Sequence, residues 1–496
     1  MEYHLLTYSL LFLPAVLFLY NLTPVKFRWV LLLIVNFVFY WMISGKLIIY
    51  FLLASVITYL TGLALEHVAA NSSLKGKALT KKKRPVLAIG ILLNLSMLII
   101  FKYLKLVGIN LIAPVGISYY TLQTISYMTD VHRKTIPADH NPGRLILYLS
   151  FFPQVIEGPI SRYSEVANDL YAGKNLEYKN ITFGYQRILW GLFKKMIIAD
   201  HLAPAVYKIF LHPEQYDGSS IAMGAILFTT QLYAEFSGCM DIIIGSGETL
   251  GITLPENFRQ PFFAKNASDF WRRWHITLGT WLKDYIFYPI SLAKPIKDVT
   301  KSAKKKGHLG FSKMFGPTVS LFFVWLTNGI WHGAGWTYLF YGMYYFVLIF
   351  FEMLTEPSFE KFYVKHNINS DGKILTVLRA IKLFFIVNIG EMFFRATSMK
   401  QGFSMFKQIL FDFHISSLPE TNFGIDNYDI LLCMGGVMLL FIVDVIHEKG
   451  ISIREKIAGY RLPLRWAIWY AMIFGIIIMG AYGAGYTVMD MIYAAY

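Results

Sequence analysis

Charge is scarce in this chain: only 16% of its 496 residues are Asp, Glu, Lys or Arg, against roughly 25% in an ordinary soluble protein. With 55% hydrophobic and 17% aromatic residues and a mean hydropathy of +0.47, the sequence reads as a membrane protein. Cysteine is scarcer still. Cys239 and Cys433 both fall within apolar stretches, where a lone thiol acts as a small hydrophobe, so neither a disulfide framework nor thiol chemistry is expected. Motifs for metals and nucleotides are missing as well. His447-Glu448 begins like a zinc-protease helix, but Ile451 stands where the second histidine belongs. No Walker-type loop or G-x-S-x-G elbow occurs, and Gly245, Gly247 and Gly251 miss the dinucleotide fingerprint in spacing and context. Neither a metal nor a bound cofactor is therefore expected. Internal repeats, low-complexity tracts and a soluble domain large enough to fold alone are also lacking. Glu2 replaces a basic n-region and no small-residue cleavage site follows Tyr20, so the first apolar segment is expected to be retained.

What is present is a succession of apolar runs, near 3–20, 27–43, 47–65, 85–106, 183–198, 221–249, 316–352, 374–394, 430–446 and 464–482. A helix needs about 20 residues to cross a bilayer, and hydrocarbon offers no partner to open backbone. These runs predict an all-α polytopic membrane protein with roughly ten to twelve membrane-entering helices, read as one membrane-embedded domain over 1–496. The formal net charge of +15 follows from topology, with no nucleic acid implied. Its basic residues gather at Lys75–Arg84, at Lys301–Lys306 and at Lys449–Arg465, and the positive-inside rule makes all three cytoplasmic. Three helices before the first cluster and one after the last then put both termini outside. The stretch 316–352 is long enough to enter and return, with its turn near Trp331-His332-Gly333-Ala334-Gly335.

The segment 254–290, "LPENFRQPFFAKNASDFWRRWHITLGTWLKDYIFYPI", mixes aromatic and charged residues. It reads as helices lying at the membrane interface and anchored in lipid headgroups. Ser268 or Asp269 is the expected cap, and Trp271 to Trp281 the expected helix body.

An ionisable side chain inside a membrane segment costs a few kcal/mol and marks a candidate site. His332 is the foremost such residue, flanked by Asn328, Trp331, Gly333 and Gly335; a packing histidine is the plainer alternative. His275 is second. On one helix it would share a face with Trp271, while Arg272 and Arg273 point elsewhere toward phosphates or lipid headgroups; an interfacial histidine is its plainer alternative. Glu235 and Asp241 flank Ser237-Gly238, expected to be a helix break, and either line a polar cavity or cap broken helices. Glu157 and Arg162 are expected to pair across a Gly-Pro turn.

Several stretches, in order, resemble one family: "PVGISYYTLQTISYMTDVHR" (114–133), "FFPQVIEGPISRY" (151–163), "FSGCMDIIIG" (236–245), 255–290, and "NGIWHGAGWTYLFYG" (328–342). They are similar to the membrane-bound O-acyltransferases, and most similar to the bacterial branch that O-acetylates alginate, cellulose and peptidoglycan. The similarity runs from about 112 to 395, where "EMFFRATSMKQGFSMF" (391–406) also resembles the branch; 1–111 and 396–496 agree in hydropathy only. The resemblance implies a central tunnel through the membrane, with a cytoplasmic acyl donor and an outer acceptor meeting at a histidine. That histidine would be His332, with His275 as the second conserved one. Neutral imidazole there could act as general base on a hydroxyl or carry the acyl group transiently, with Asn328 and the aromatic wall orienting the donor. Glu235 stands where the branch often has Asp, and 480–496 lacks the branch's aromatic-rich ending.

The function so implied is transfer of an acetyl group, with acetyl-CoA as donor substrate, for O-acetylation of a cell-surface or secreted polysaccharide. The implied partners are membrane lipids and an extracytoplasmic acetyltransferase, and the implied location is the bacterial cytoplasmic membrane. Two other readings stand beside it: D-alanyl transfer from a carrier protein toward teichoic acid, and transport of a polysaccharide or lipid. Transporters usually carry paired repeats, of which there are none.

Overall fold

The computed structural model describes residues 7–109 and 111–482; expectations for the extreme termini, including the ending 483–496, lie outside the described residues. The apolar runs fold as helices, and among the described residues the only β contact is an isolated bridge between Phe258 and Trp274. Among the described residues six helical stretches are long and apolar enough to cross a membrane: Val25–Ala70, Gly76–Tyr103, Leu309–His332, Trp336–Lys365, Asn427–Glu448 and Leu462–Met479. The chain forms two compact units, one from 7–192 and Cys239–Glu256, the other from Phe193–Gly238 and 257–482.

The first unit holds α1 (Leu13–Leu22), α2 (Arg28–Ser44), α3 (Ile48–Ala70), α4 (Gly76–Tyr103), α5 (Ile117–Arg133), α6 (Pro142–Ser150), α7 (Tyr163–Ala172) and α8 (Tyr178–Phe193). The basic cluster expected in a loop instead forms the first turns of α4, which begins at Gly76 and runs through Pro85. Helix α5 is buried along nearly its whole length between α3 and α4. Arg28 ties α2 to the chain after α7 by donating to the Gly173 and Lys174 carbonyls at 2.9 Å each and to Asn175 at 2.8 Å.

The second unit contains α9 (Asp200–Leu211), the first part of α10 (Gly218–Thr249), α11 (Ala267–Arg273), α12 (Ile276–Leu282), α13 (Tyr288–Ser291), α14 (Lys294–Lys305), α15 (Leu309–His332), α16 (Trp336–Lys365), α17 (Lys373–Arg395), α18 (Met399–Phe411), α19 (Asn427–Glu448), α20 (Ile453–Ala458) and α21 (Leu462–Met479). The break expected at Ser237-Gly238 does not occur. Helix α10 runs unbroken for 32 residues, and the polar side chains around Ser237 are met by a neighbour and do not cap a break: Lys194 donates to Ser237 Oγ at 2.8 Å and Lys195 reaches Glu235 at 3.3 Å. A π-helical turn at Lys194–Ala199 lets these two adjacent lysines face the same neighbour, since its wider turn brings successive side chains closer in angle.

Segment 257–282 also departs from expectation. Ala267, Phe270, Trp274, His275, Leu278 and Trp281 are buried, so these side chains pack into protein and do not anchor in lipid headgroups. The true cap of α11 is Asn266, whose side chain accepts from the Asp269 N–H at 2.7 Å, while Glu352 of α16 accepts from the N–H groups of Ala267 and Ser268 at 2.7 and 3.1 Å. From there α11 runs beside α15 and α16: Trp271 meets Trp325 and Tyr345, both at 4.8 Å between ring centroids, and His275 meets Trp331 at 6.0 Å.

Helices α15 and α16 form the most intimate pair. A Cβ on Gly342 would lie 2.3 Å from the Trp325 carbonyl oxygen, and one on Gly329 2.6 Å from that of Tyr338. Backbone therefore meets backbone, the use that membrane helices make of small residues. The Gly342→Ala variant should lower the thermal midpoint of the detergent-extracted protein, by about 1–3 kcal/mol of stability, because a carbonyl cannot rotate away. Gly435→Ala in α19, where a Cβ meets nothing within 4 Å, should leave the midpoint unchanged or raise it.

Candidate active site

Trp325, Asn328 and His332 lie three and four residues apart on α15 and so share one face. All three are buried. The helix stops at His332, and Gly333–Gly335 turn the chain into α16. The imidazole is enclosed by rings: Trp331 at 5.0 Å, Phe394 at 5.2 Å and Tyr341 at 6.0 Å, the last two within a few degrees of perpendicular to it, at 89° and 86°. Below it along α15, Trp271, Trp325 and Tyr345 pack together, with Tyr345 stacked on Trp325 at 5.4 Å. The indole N–H groups of Trp271 and Trp325 and the Oδ1 of Asn328 are buried with no hydrogen-bond partner among the described residues. Buried polar groups are nearly always satisfied. Two donors and an acceptor on the elements that also carry an imidazole therefore give this seam the means to hold a polar group such as a carbonyl.

His275 occupies the junction between α11 and α12, where the expected single helix is interrupted. It takes the left-handed conformation with φ of +46°, so it does not share a helical face with Trp271. Asn257, fully buried, holds the junction: its carbonyl accepts from the Ile276 N–H at 3.0 Å, and its Oδ1 accepts from the N–H and hydroxyl of Thr277 at 3.1 and 2.9 Å. The Thr277 N–H can only donate, which fixes the orientation of the Asn257 amide. The His275 Nδ1 lies 3.2 Å from that same Oδ1 and must carry the ring proton, leaving the lone pair on Nε2. Burial pushes the His275 pKa down to about 3, so the ring is neutral at physiological pH. It is a poor proton acceptor but a well-placed acceptor of a hydrogen bond. Strained backbone at a polar residue of this kind is characteristic of functional positions.

The remaining candidates divide. Trp331 touches both histidines, and Trp271 lies in the aromatic seam. Arg272 is exposed, whereas Arg273 is engaged by Asp269 at 3.3 Å and Glu448 at 2.8 Å. Glu235 belongs to an ion-pair cluster around the fully buried Lys195, which also meets Asp200 at 2.8 Å. Asp241 is a member of the other compact unit, where it accepts from Arg187 at 2.8 Å beside Glu256. A cleft of about 440 Å³ lined by Lys208, Asp217, Ser417 and Asn422 is separate from the histidine seam, and its polar groups largely satisfy one another. Asn257, Tyr341, Phe394 and Glu391 escaped the reading of the sequence; the only available signal was their location within the family-like stretches.

The model of the membrane-bound O-acyltransferase family matches residues 133–303, which include His275. Over 429 residues the chain is 30% identical to a probable alginate O-acetylase of Pseudomonas aeruginosa, covering 83% of this chain and 75% of that protein. The chain belongs to the membrane-bound O-acyltransferase family. As an O-acyltransferase it is also 31% identical over 364 residues to a peptidoglycan O-acetyltransferase of Helicobacter pylori, covering 66% of this chain and 64% of that protein. A teichoic acid D-alanyltransferase of Bacillus subtilis is 28% identical over 287 residues, with 57% of this chain and 68% of that protein covered.

The neutral state of His275 in this acyltransferase has a measurable consequence. The unfolded chain takes up a proton below about pH 6.5 that the folded chain takes up only near pH 3. The contribution of His275 is therefore constant above pH 6.5, and stability falls as pH drops from there, by up to about 1.4 kcal/mol per unit. Thermal midpoints measured from pH 7 to 4.5 should decline less steeply for His275→Asn than for the parent.

Proposed function

We propose that this O-acyltransferase moves an acetyl group from cytoplasmic acetyl-CoA to the outer side of the bacterial cytoplasmic membrane. There it serves O-acetylation of a cell-surface or secreted polysaccharide, through an extracytoplasmic partner transferase. The observation that carries this reading is the placement of His332, a buried imidazole at the break between two membrane helices, at the end of a seam able to hold a carbonyl. Helix α15 has 24 residues and rises about 36 Å, so its break lies a membrane thickness from the lysine-rich α14 at its other end. With the basic clusters and α14 on the cytoplasmic side, both termini lie outside and a donor arm reaches His332 through the interior along a tunnel.

In this reading neutral His332 takes the proton of an attacking hydroxyl as the hydroxyl oxygen adds to the thioester carbonyl. The carbon–sulfur bond then breaks, and the proton passes to the departing thiolate. The Trp271 and Trp325 indoles and Asn328 hold the donor's polar groups, the lone pair of His275 accepts a hydrogen bond, and exposed Arg272 meets a phosphate of donor or lipid. The O-acetylases align with more of the chain than the D-alanyltransferase does, 83% against 57%, which favours acetyl as the group moved.

The test compares the parent with His332→Ala at equal membrane levels, measuring base-released acetate and D-alanine from the purified envelope polymer. Loss of about a hundredfold or more in acetate, with polymer export unchanged, is expected. Unchanged acetate would remove His332 from the chemistry, and loss of D-alanine alone would change the group transferred.

A further inference from the structure

Glu391 is a carboxyl group that the reaction described above does not use. It is 1% exposed in α17 and forms no ion pair among the described residues, a costly arrangement for an acid inside a membrane protein. Its Oε1 accepts from the Tyr341 hydroxyl at 2.7 Å, while Oε2 has no hydrogen-bond partner among the described residues. The ring of Tyr341 is one of the two that stand nearly perpendicular to the His332 imidazole; the other is Phe394, three residues beyond Glu391 on the same face of α17. Tyr341 and Phe394 also touch each other, at 4.9 Å. One turn of α17 thus governs two walls around the histidine, Phe394 by direct contact and Tyr341 through its hydroxyl. Gly390 allows the approach, since a Cβ there would already lie 3.0 Å from the Tyr345 hydroxyl and 3.1 Å from the Tyr344 ring.

We propose that Glu391 is a positioning residue for acyl transfer: by fixing the Tyr341 hydroxyl it sets the plane of the His332 imidazole against Phe394. This rests on the reading of His332 as the residue that carries the chemistry. The hydrogen bond places Tyr341, and Tyr341 with Phe394 restricts ring rotation, so the reactive nitrogen points along one direction. A donor and acceptor arriving from opposite sides of a membrane cannot reorient a misaligned base, and small misplacements of catalytic groups are expensive in rate.

The decisive variant removes both partners. Glu391→Leu/Tyr341→Phe removes both ends of this hydrogen bond together, so its folding cost is smaller than that of removing one end alone. Parent, His332→Ala, Glu391→Gln and the double variant are expressed in cells lacking the native copy. Ester-linked acetate and D-alanine on the envelope polymer are measured per unit of membrane protein, and thermal midpoints are taken on detergent extracts. The double variant should keep a near-parental midpoint yet lose about tenfold to a hundredfold in ester content. Glu391→Gln, which still offers an oxygen to Tyr341, should restore most of it. Parental ester content in the double variant overturns the proposal, as does a Glu391→Gln protein no more active than His332→Ala. Should the double variant not accumulate, Tyr341→Phe decides on the same criterion. Full ester content in His332→Ala sinks the reading of His332 itself, an outcome distinct from the others.

Discussion

The contact on which the rest of the site depends is the backbone approach of α15 to α16 at Gly329 and Gly342. It forces the connection between the two helices into the three residues Gly333–Gly335 and leaves His332 as the last helical residue before the turn. Packing on both sides follows from that closeness. The face carrying Trp325, Asn328 and His332 has α11 against it, and the face of α16 carrying Tyr341 and Tyr345 receives α17. Dispersion among so many rings is collectively large, and it is arranged around an imidazole rather than around aliphatic side chains.

The two histidines differ in kind. His275 is held in a strained left-handed backbone by Asn257, its proton committed to Nδ1 and its charge suppressed by burial. His332 sits in a ring-walled position with no backbone strain of its own, its plane set by perpendicular aromatics. Trp331 touches both. Polar networks elsewhere, around Lys195 in one unit and Arg187 in the other, follow a different logic: their charges answer one another, and breaking either would leave an uncompensated buried ion. They are architecture, whereas the seam beside His332 holds polar atoms of Trp271, Trp325 and Asn328 that find no partner among the described residues.

Much of this was legible from hydropathy and from the cost of charge in a membrane. The helical class follows from hydropathy and the return of the chain after His332 from Trp331-His332-Gly333 within a long apolar run; both histidines picked out from the sequence are buried. What failed was local. An aromatic, charged segment looks interfacial when read alone, yet much of 257–282 packs into protein: Glu352, 85 residues beyond Ala267, caps α11, and Trp325 and Tyr345 receive Trp271. Ser237-Gly238 looks like a break, yet lysines from a π-helical turn satisfy its neighbours. His275 and Trp271 share a helical spacing, but a left-handed residue between two short helices carries no mark that periodicity can detect. Glu391 was hidden for the same reason: its meaning lies in a tyrosine fifty positions earlier.

The most direct measurement is a cryo-EM structure of the detergent-solubilised protein with a non-hydrolysable acetyl-CoA analogue. The account predicts the analogue's carbonyl in the seam between Trp271, Trp325 and Asn328, with its carbon one acceptor hydroxyl away from the His332 ring, a reacting separation of roughly 3–3.5 Å on either side of that oxygen. Density for the acyl end confined to the cleft of Lys208 and Asp217, or to the surface of α14 with the seam still closed by its own rings, would contradict it.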